Sequence, residues 1–201
     1  MLVSINEMKL LSYNGEHFNQ TEASSFSHDG VKMTEYENEP FIVGDYNHNQ
    51  IEFMHLSHEK WYTASPFPNR KRIFGYAPVA RPGKVFILGG CCDENENWSS
   101  VSLFEKDEWS LFGRLKQGRI NFMTITYGTD VMIIGGKTLN SQSADTELLS
   151  LVDDSDPNSI KSETVLTDLN LPNSMIVNGI VLNLNDISNC QETKLGRMNK
   201  I

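Results

Sequence analysis

The residues of this chain whose types could do chemistry are three histidines, two adjacent cysteines, an acidic loop and two arginines. His48, His55 and His58 could in principle offer imidazole nitrogens to zinc. A strand through this region would put His55 and His58 on opposite faces and leave His48 in the preceding turn, so surface histidines are expected instead of a metal site. Cys91 and Cys92 are neighbours, too strained to bridge each other, and Cys190 stands far away. That is neither a disulfide framework nor a metal spacing, and it fits a reducing, cytoplasmic setting. Asp93, Glu94 and Glu96 carry oxygens but lack the glycine-containing spacing of a calcium loop. They read as a solvated acidic turn or as a recognition loop whose anchor is Trp98, the residue type that often dominates an interface.

Arg72 and Arg119 recur at matching places. A repeated guanidinium commonly satisfies backbone carbonyls or an acidic neighbour, and left free it could hold a carboxylate bidentately. Trp98, Arg72, Arg119 and Glu94 are therefore the candidate binding residues. The chain has no nucleophile elbow, no phosphate-cradling loop and no histidine beside a nucleophile. No catalytic residue, metal or cofactor is expected.

What must position these groups is a repeat. Phe41-Ile42-Val43-Gly44, Val85-Phe86-Ile87-Leu88-Gly89-Gly90 and Val131-Met132-Ile133-Ile134-Gly135-Gly136 are apolar runs stopped by glycine. Each is followed by a polar loop and a second apolar run, and the first two then reach Trp61 and Trp109. Gly44 to Gly89 is 45 residues and Gly89 to Gly135 is 46. A period of about 40–50 residues built of short strands is the pattern of propeller blades. Gly44, Gly89, Gly90, Gly135, Gly136, Trp61 and Trp109 are read as structural for that reason, since a ligand cage would not recur once per repeat. The expected copies are 36–80, 81–128 and 129–184, with Trp61 in a third strand and Ile73 to Ala77 as the fourth strand of the first copy. Residues 1–35 are expected to be a diverged blade or a closing strand, and 185–201 a polar tail.

Composition narrows the partners. The chain has 201 residues, 17 basic against 26 acidic, for a net charge of −9. Nucleic acid and anionic lipid are poor partners for such a surface, and no apolar stretch approaches the ~20 residues that cross a bilayer.

The double glycines, the tryptophans of the first two copies and the arginines that follow them resemble the kelch repeat, over roughly residues 36–184. The tract from Trp109 to Arg119 carries the resemblance best. It implies an all-β fold of kelch-like propeller blades, about four in this length, where the family usually has five to seven. An arc of that size leaves its terminal faces uncovered unless the chain is part of a longer protein, closes by self-association, or caps the partial propeller with its own terminal segments. The resemblance further implies a protein-interaction module that binds a protein partner through its inter-strand loops, with Arg72 and Arg119 near surfaces that some relatives use to grip acidic peptides. A small-molecule enzyme acting on a sugar or metabolite at the propeller centre is the alternative.

Overall fold

The computed structural model describes residues 2–5, 9–13, 16–20, 24–26, 32–44, 49–55, 57–58, 60–68, 73–91, 98–140, 145–151 and 160–164. Within them the chain is all-β, in four antiparallel sheets. Strands β1 (Leu2–Ile5), β2 (Lys9–Tyr13) and β3 (Phe18–Gln20) form a three-stranded sheet. Three four-stranded meanders follow. The first is β4 (Met33–Tyr36), β5 (Glu39–Val43), β6 (Ile51–His55) and β7 (Lys60–Ala64). The second is β8 (Ala77–Arg81), β9 (Lys84–Leu88), β10 (Ser100–Glu105) and β11 (Glu108–Arg114). The third is β12 (Met123–Tyr127), β13 (Asp130–Ile134), β14 (Glu147–Leu151) and β15 (Ile160–Thr164). Among the described residues no helix is long and apolar enough to cross a membrane.

Side chains alternate across a strand, and β9 shows why its run is apolar throughout. Val85 and Ile87 pack with Phe41, Val43, Ile51 and Phe67 of the first meander. Phe86 and Leu88 point the other way, into a cluster with Val131, Ile133 and Leu149 of the third. A strand buried on both faces has no polar side to offer. The sheets thus stack face against face in sequence, and their first strands, β4, β8 and β12, meet one another between sheets. These are the inner strands of propeller blades.

The phase of the repeat differs from the expected one. Instead of a strand over Ile73 to Ala77 that ends the first copy, this stretch makes only an isolated bridge at Phe74, and β8, starting at Ala77, opens the second sheet by pairing with β9. Likewise the end of the expected second copy, up to residue 128, supplies β12 of the third sheet. Trp61 lies in the outermost, fourth strand. A copy boundary at 80/81 would cut through β8. The period survives because every blade is shifted alike. Residues 185–201 lie outside the described residues.

Two contacts bind neighbouring blades at their outer strands. Trp109 packs edge-on against Phe67 at 4.6 Å and donates its indole N–H to the Ser65 carbonyl at 2.9 Å. Asp107 accepts from the Ser65 amide at 2.8 Å. Trp61, opposite Met54 as Trp109 is opposite Phe104, is half-buried at the matching place. Both tryptophans serve the scaffold.

Candidate functional site: the loop-bearing end

Successive antiparallel strands place the connections of the three meanders at two ends, with 56–59 and 152–159 at the same end as the tight turns. The turns between β4 and β5, β8 and β9, β10 and β11, and β12 and β13 are each two residues long. At Glu37-Asn38 and Lys106-Asp107 both central residues have positive φ, 53° and 65° then 52° and 62°, as the tight hairpin turns that match strand twist require. The connections at the other ends of the inner strands are long: 44–50, 89–99 and 135–146 within sheets, and 65–76 and 115–122 between them.

These long loops hold one another. Phe67 and Asn49 exchange backbone and side-chain bonds, and Phe74 pairs with Cys91. The Gly90 amide donates to the Arg119 carbonyl, the Arg119 amide to the Trp98 carbonyl, and Leu115 to Ser99. Ile120 pairs with Lys137, and Asn121 donates to Gly75. The double glycine belongs to this mesh. Gly90 and Gly136 have φ of +89° and +90°, and a Cβ there would lie 2.8 Å from the Cβ of Tyr76 and 2.7 Å from that of Phe122. Only glycine combines that φ with so close an approach.

Arg119 is not presented to a ligand, contrary to its inclusion among the binding residues. It is the largest fully buried side chain among the described residues. Its guanidinium donates to the carbonyls of Gln117, Gly135 and Asp145, at 3.2, 3.0 and 2.6 Å, and to Glu147 Oε2 at 2.8 Å. Burial lowers its pKa and the Glu147 carboxylate opposes that shift. Glu147 also accepts from the amides of Lys116 and Gln117. One carboxylate and one guanidinium thereby fasten the loop 115–122 to the third sheet.

Glu52 occupies the same ladder position in the first meander, opposite Ile42 as Glu147 is opposite Ile133. It is fully buried and accepts from the amides of Ser25 and Phe26 at 2.9 and 3.3 Å. The signal for these two residues was a glutamate at one strand position two repeats apart, with Ser102 between.

Trp98 sits where the loop 89–99 re-enters β10. It is half-buried, Gly118 lies flush against its backbone, and among the described residues its buried Nε1 has no hydrogen-bond acceptor. A buried donor without an acceptor is uncommon. Leu139, 59% exposed on the loop 135–146, is the most exposed large apolar side chain described; Lys137 is exposed on the same loop and Lys116 on the loop 115–122. The sequence reading missed Leu139. Arg72 and Glu94 lie outside the described residues, as do His48 and Cys92. Cys91 is buried.

The histidine geometry also differs from expectation. His58 falls in a turn, so its ring comes within 5.4 Å of His55. His55 Nδ1 lies 3.3 Å from Glu39. Among the described residues no three His, Cys, Asp or Glu side chains converge as metal ligands would.

Lys32 stands just before β4. Its ammonium donates to the Phe122 carbonyl at 3.3 Å and lies 5.9 Å above the Phe122 ring, and burial lowers its pKa. The Tyr76 hydroxyl donates to the Val43 carbonyl at 2.6 Å and is within 3.3 Å of the Lys32 backbone. A cavity of about 320 Å³ along the β4–β5 hairpin is lined by Met33, Thr34, Glu35, Asn38, Glu39 and Pro40. It gathers none of the predicted binding residues.

No family model and no curated protein matches this chain. It is similar to a solved structure titled "Structure of YjhT", with a TM-score of 0.63 and 15% identity, over 78% of this chain and 52% of that one. The likeness is one of fold, a β-propeller scaffold. This chain spans about half the length of that protein.

Proposed function

We propose that this chain is a kelch-type interaction module that binds a protein partner through its loop-bearing end. The observation that carries the reading is the asymmetry of the connections: on one side four of the six hairpins of the three meanders close in two residues, with 56–59 and 152–159 longer, and on the other all five loops run to seven residues or more and hydrogen-bond to one another. A rigid scaffold that offers its long loops together is the usual setting for recognition. Trp98 and Leu139 supply apolar anchors there, and the exposed Lys116 and Lys137 favour an acidic partner segment on an otherwise acidic chain. Arg119 contributes by holding the loop 115–122 in place.

The test is to pan a displayed random-peptide library on the immobilised chain and measure the selected peptides against variants. Trp98→Ala and Leu139→Asp are expected to weaken binding about tenfold or more, as loss of an interface anchor does. Leu111→Asp on the outer strand β11 and Thr129→Lys in a tight turn are expected to leave it unchanged. The opposite pattern, or a library that yields no binder, would contradict the reading.

A further inference from the structure

The third meander repeats the apolar face that the second one buries. In the second, Ala77, Val79, Phe86, Leu88 and Leu103 lie on one side of β8, β9 and β10, aligned by the ladder pairs Ala77 with Leu88, Val79 with Phe86 and Leu103 with Phe86. The third sheet covers them, and they are 0–7% exposed. The same ladder positions in the third sheet hold Met123, Ile125, Met132, Ile134 and Leu148. This face is as apolar as its counterpart. Yet none of its residues joins either core cluster, and all but Ile134 are only half-buried. In the stacking order of the sheets it is the face that the next blade would take.

The sequence beyond the described strands contains a segment of that kind. Each meander starts with two short apolar runs around a two-residue turn: 37–38, 82–83 and 128–129. The next such pattern is Met175-Ile176-Val177, then Asn178-Gly179, then Ile180-Val181-Leu182. Asn-Gly between apolar runs is the strongest short-range hairpin signal in a sequence. It falls about one period after Gly128-Thr129. Aligned on the turns, Val181 takes the place of Val85 and Val131. Both of those are fully buried and face the preceding sheet.

We infer that the apolar face of Met123, Ile125, Met132 and Leu148 is the docking surface for this chain's own segment 173–184, the opening hairpin of a further blade. The occupant is intramolecular, so its attachment does not depend on protein concentration.

Two methionines on the face make this measurable, because thioether oxidation follows solvent access. The full 201-residue chain is treated with dilute peroxide at several protein concentrations, and oxidation at each methionine is read by peptide mass spectrometry. Met123 and Met132 are expected to oxidise slowly at every concentration. In Val181→Asp their rates should rise several-fold, while Met54, fully buried within the first meander, stays protected and reports that the variant is folded. Val181→Ile should behave as the parent chain. Rapid oxidation of Met123 and Met132 in the parent chain, or rates unmoved by Val181→Asp, would overturn the assignment. Protection that grows with protein concentration would overturn it too, by assigning the face to a second copy. If Met54 loses protection in Val181→Asp, the milder Val181→Thr is judged by the same criteria.

Discussion

Replacing Arg119 by methionine removes the charge and all four hydrogen bonds while keeping much of the aliphatic stem. Glu147 is then left buried without its cationic partner, though it keeps the Lys116 and Gln117 amides as donors, and the carbonyls of Gly135 and Asp145 lose a donor. Taking one member from a buried ion pair destabilises by about 3–5 kcal/mol. The two remaining amide donors place the expected loss toward the lower end of that range. For a chain of this size each kcal/mol moves the melting temperature by roughly 2–4 °C, so Arg119→Met should melt about 6–15 °C lower. Urea denaturation at neutral pH, followed by tryptophan fluorescence, measures the free energy. Adding Glu147→Gln closes a double-mutant cycle, in which the coupling should be about 1.5 kcal/mol or more. Because the pair is buried, the loss should change little between low and high salt. A cost below about 1 kcal/mol, or one that salt erases, is the behaviour of an exposed pair and would refute the assignment of Arg119 as the fastener of its loop.

Other expectations follow from the same contacts. Trp109→Phe keeps the ring against Phe67 but deletes the bond to the Ser65 carbonyl, so denaturation should show a loss of about 1 kcal/mol. Gly90→Ala places a Cβ 2.8 Å from Tyr76, whereas Gly83, also at positive φ, has open space; thermal melts should rank Gly90→Ala well below Gly83→Ala, which loses only about 1 kcal/mol of backbone preference. Burial lowers the pKa of Lys32 below 10.5, so the unfolded chain holds that proton more tightly than the folded one. Stability relative to Lys32→Met should therefore rise as pH climbs from the folded value toward 10.5; a difference that is flat or falling in paired urea melts would contradict this. Tyr36, whose pKa burial raises above 10.0, titrates in both proteins and cancels from the comparison.

The blades were legible because their signal is regular: β-branched and aromatic runs stopped by glycine at a near-constant period. Their phase was hidden by proline. Pro78 and Pro82 make the stretch before Val85 read as a turn, yet β8 is an edge strand, where a missing N–H donor is tolerated. Of the candidate site, Trp98 was legible as an aromatic at the end of a polar loop. The burial of Arg119 was not, because its fate depends on Glu147, a residue far along the chain that reads as an ordinary polar position in an alternating strand. A carboxylate inside an apolar strand, recurring at the same ladder position as Glu52, is the mark of such a fastener. His58 was misplaced for a simpler reason: strand alternation was extended three residues beyond the end of β6, into a turn where it no longer holds.

The central claim is that recognition takes place at the loop-bearing end. Amide hydrogen exchange of the chain, with and without a peptide selected on it, tests this most directly. The account predicts that added protection gathers at 98–99, 115–121 and 137–140, leaving the turns 82–83, 106–107 and 128–129 unchanged. Protection centred on those turns, or on the outer strands β7 and β11, would contradict it.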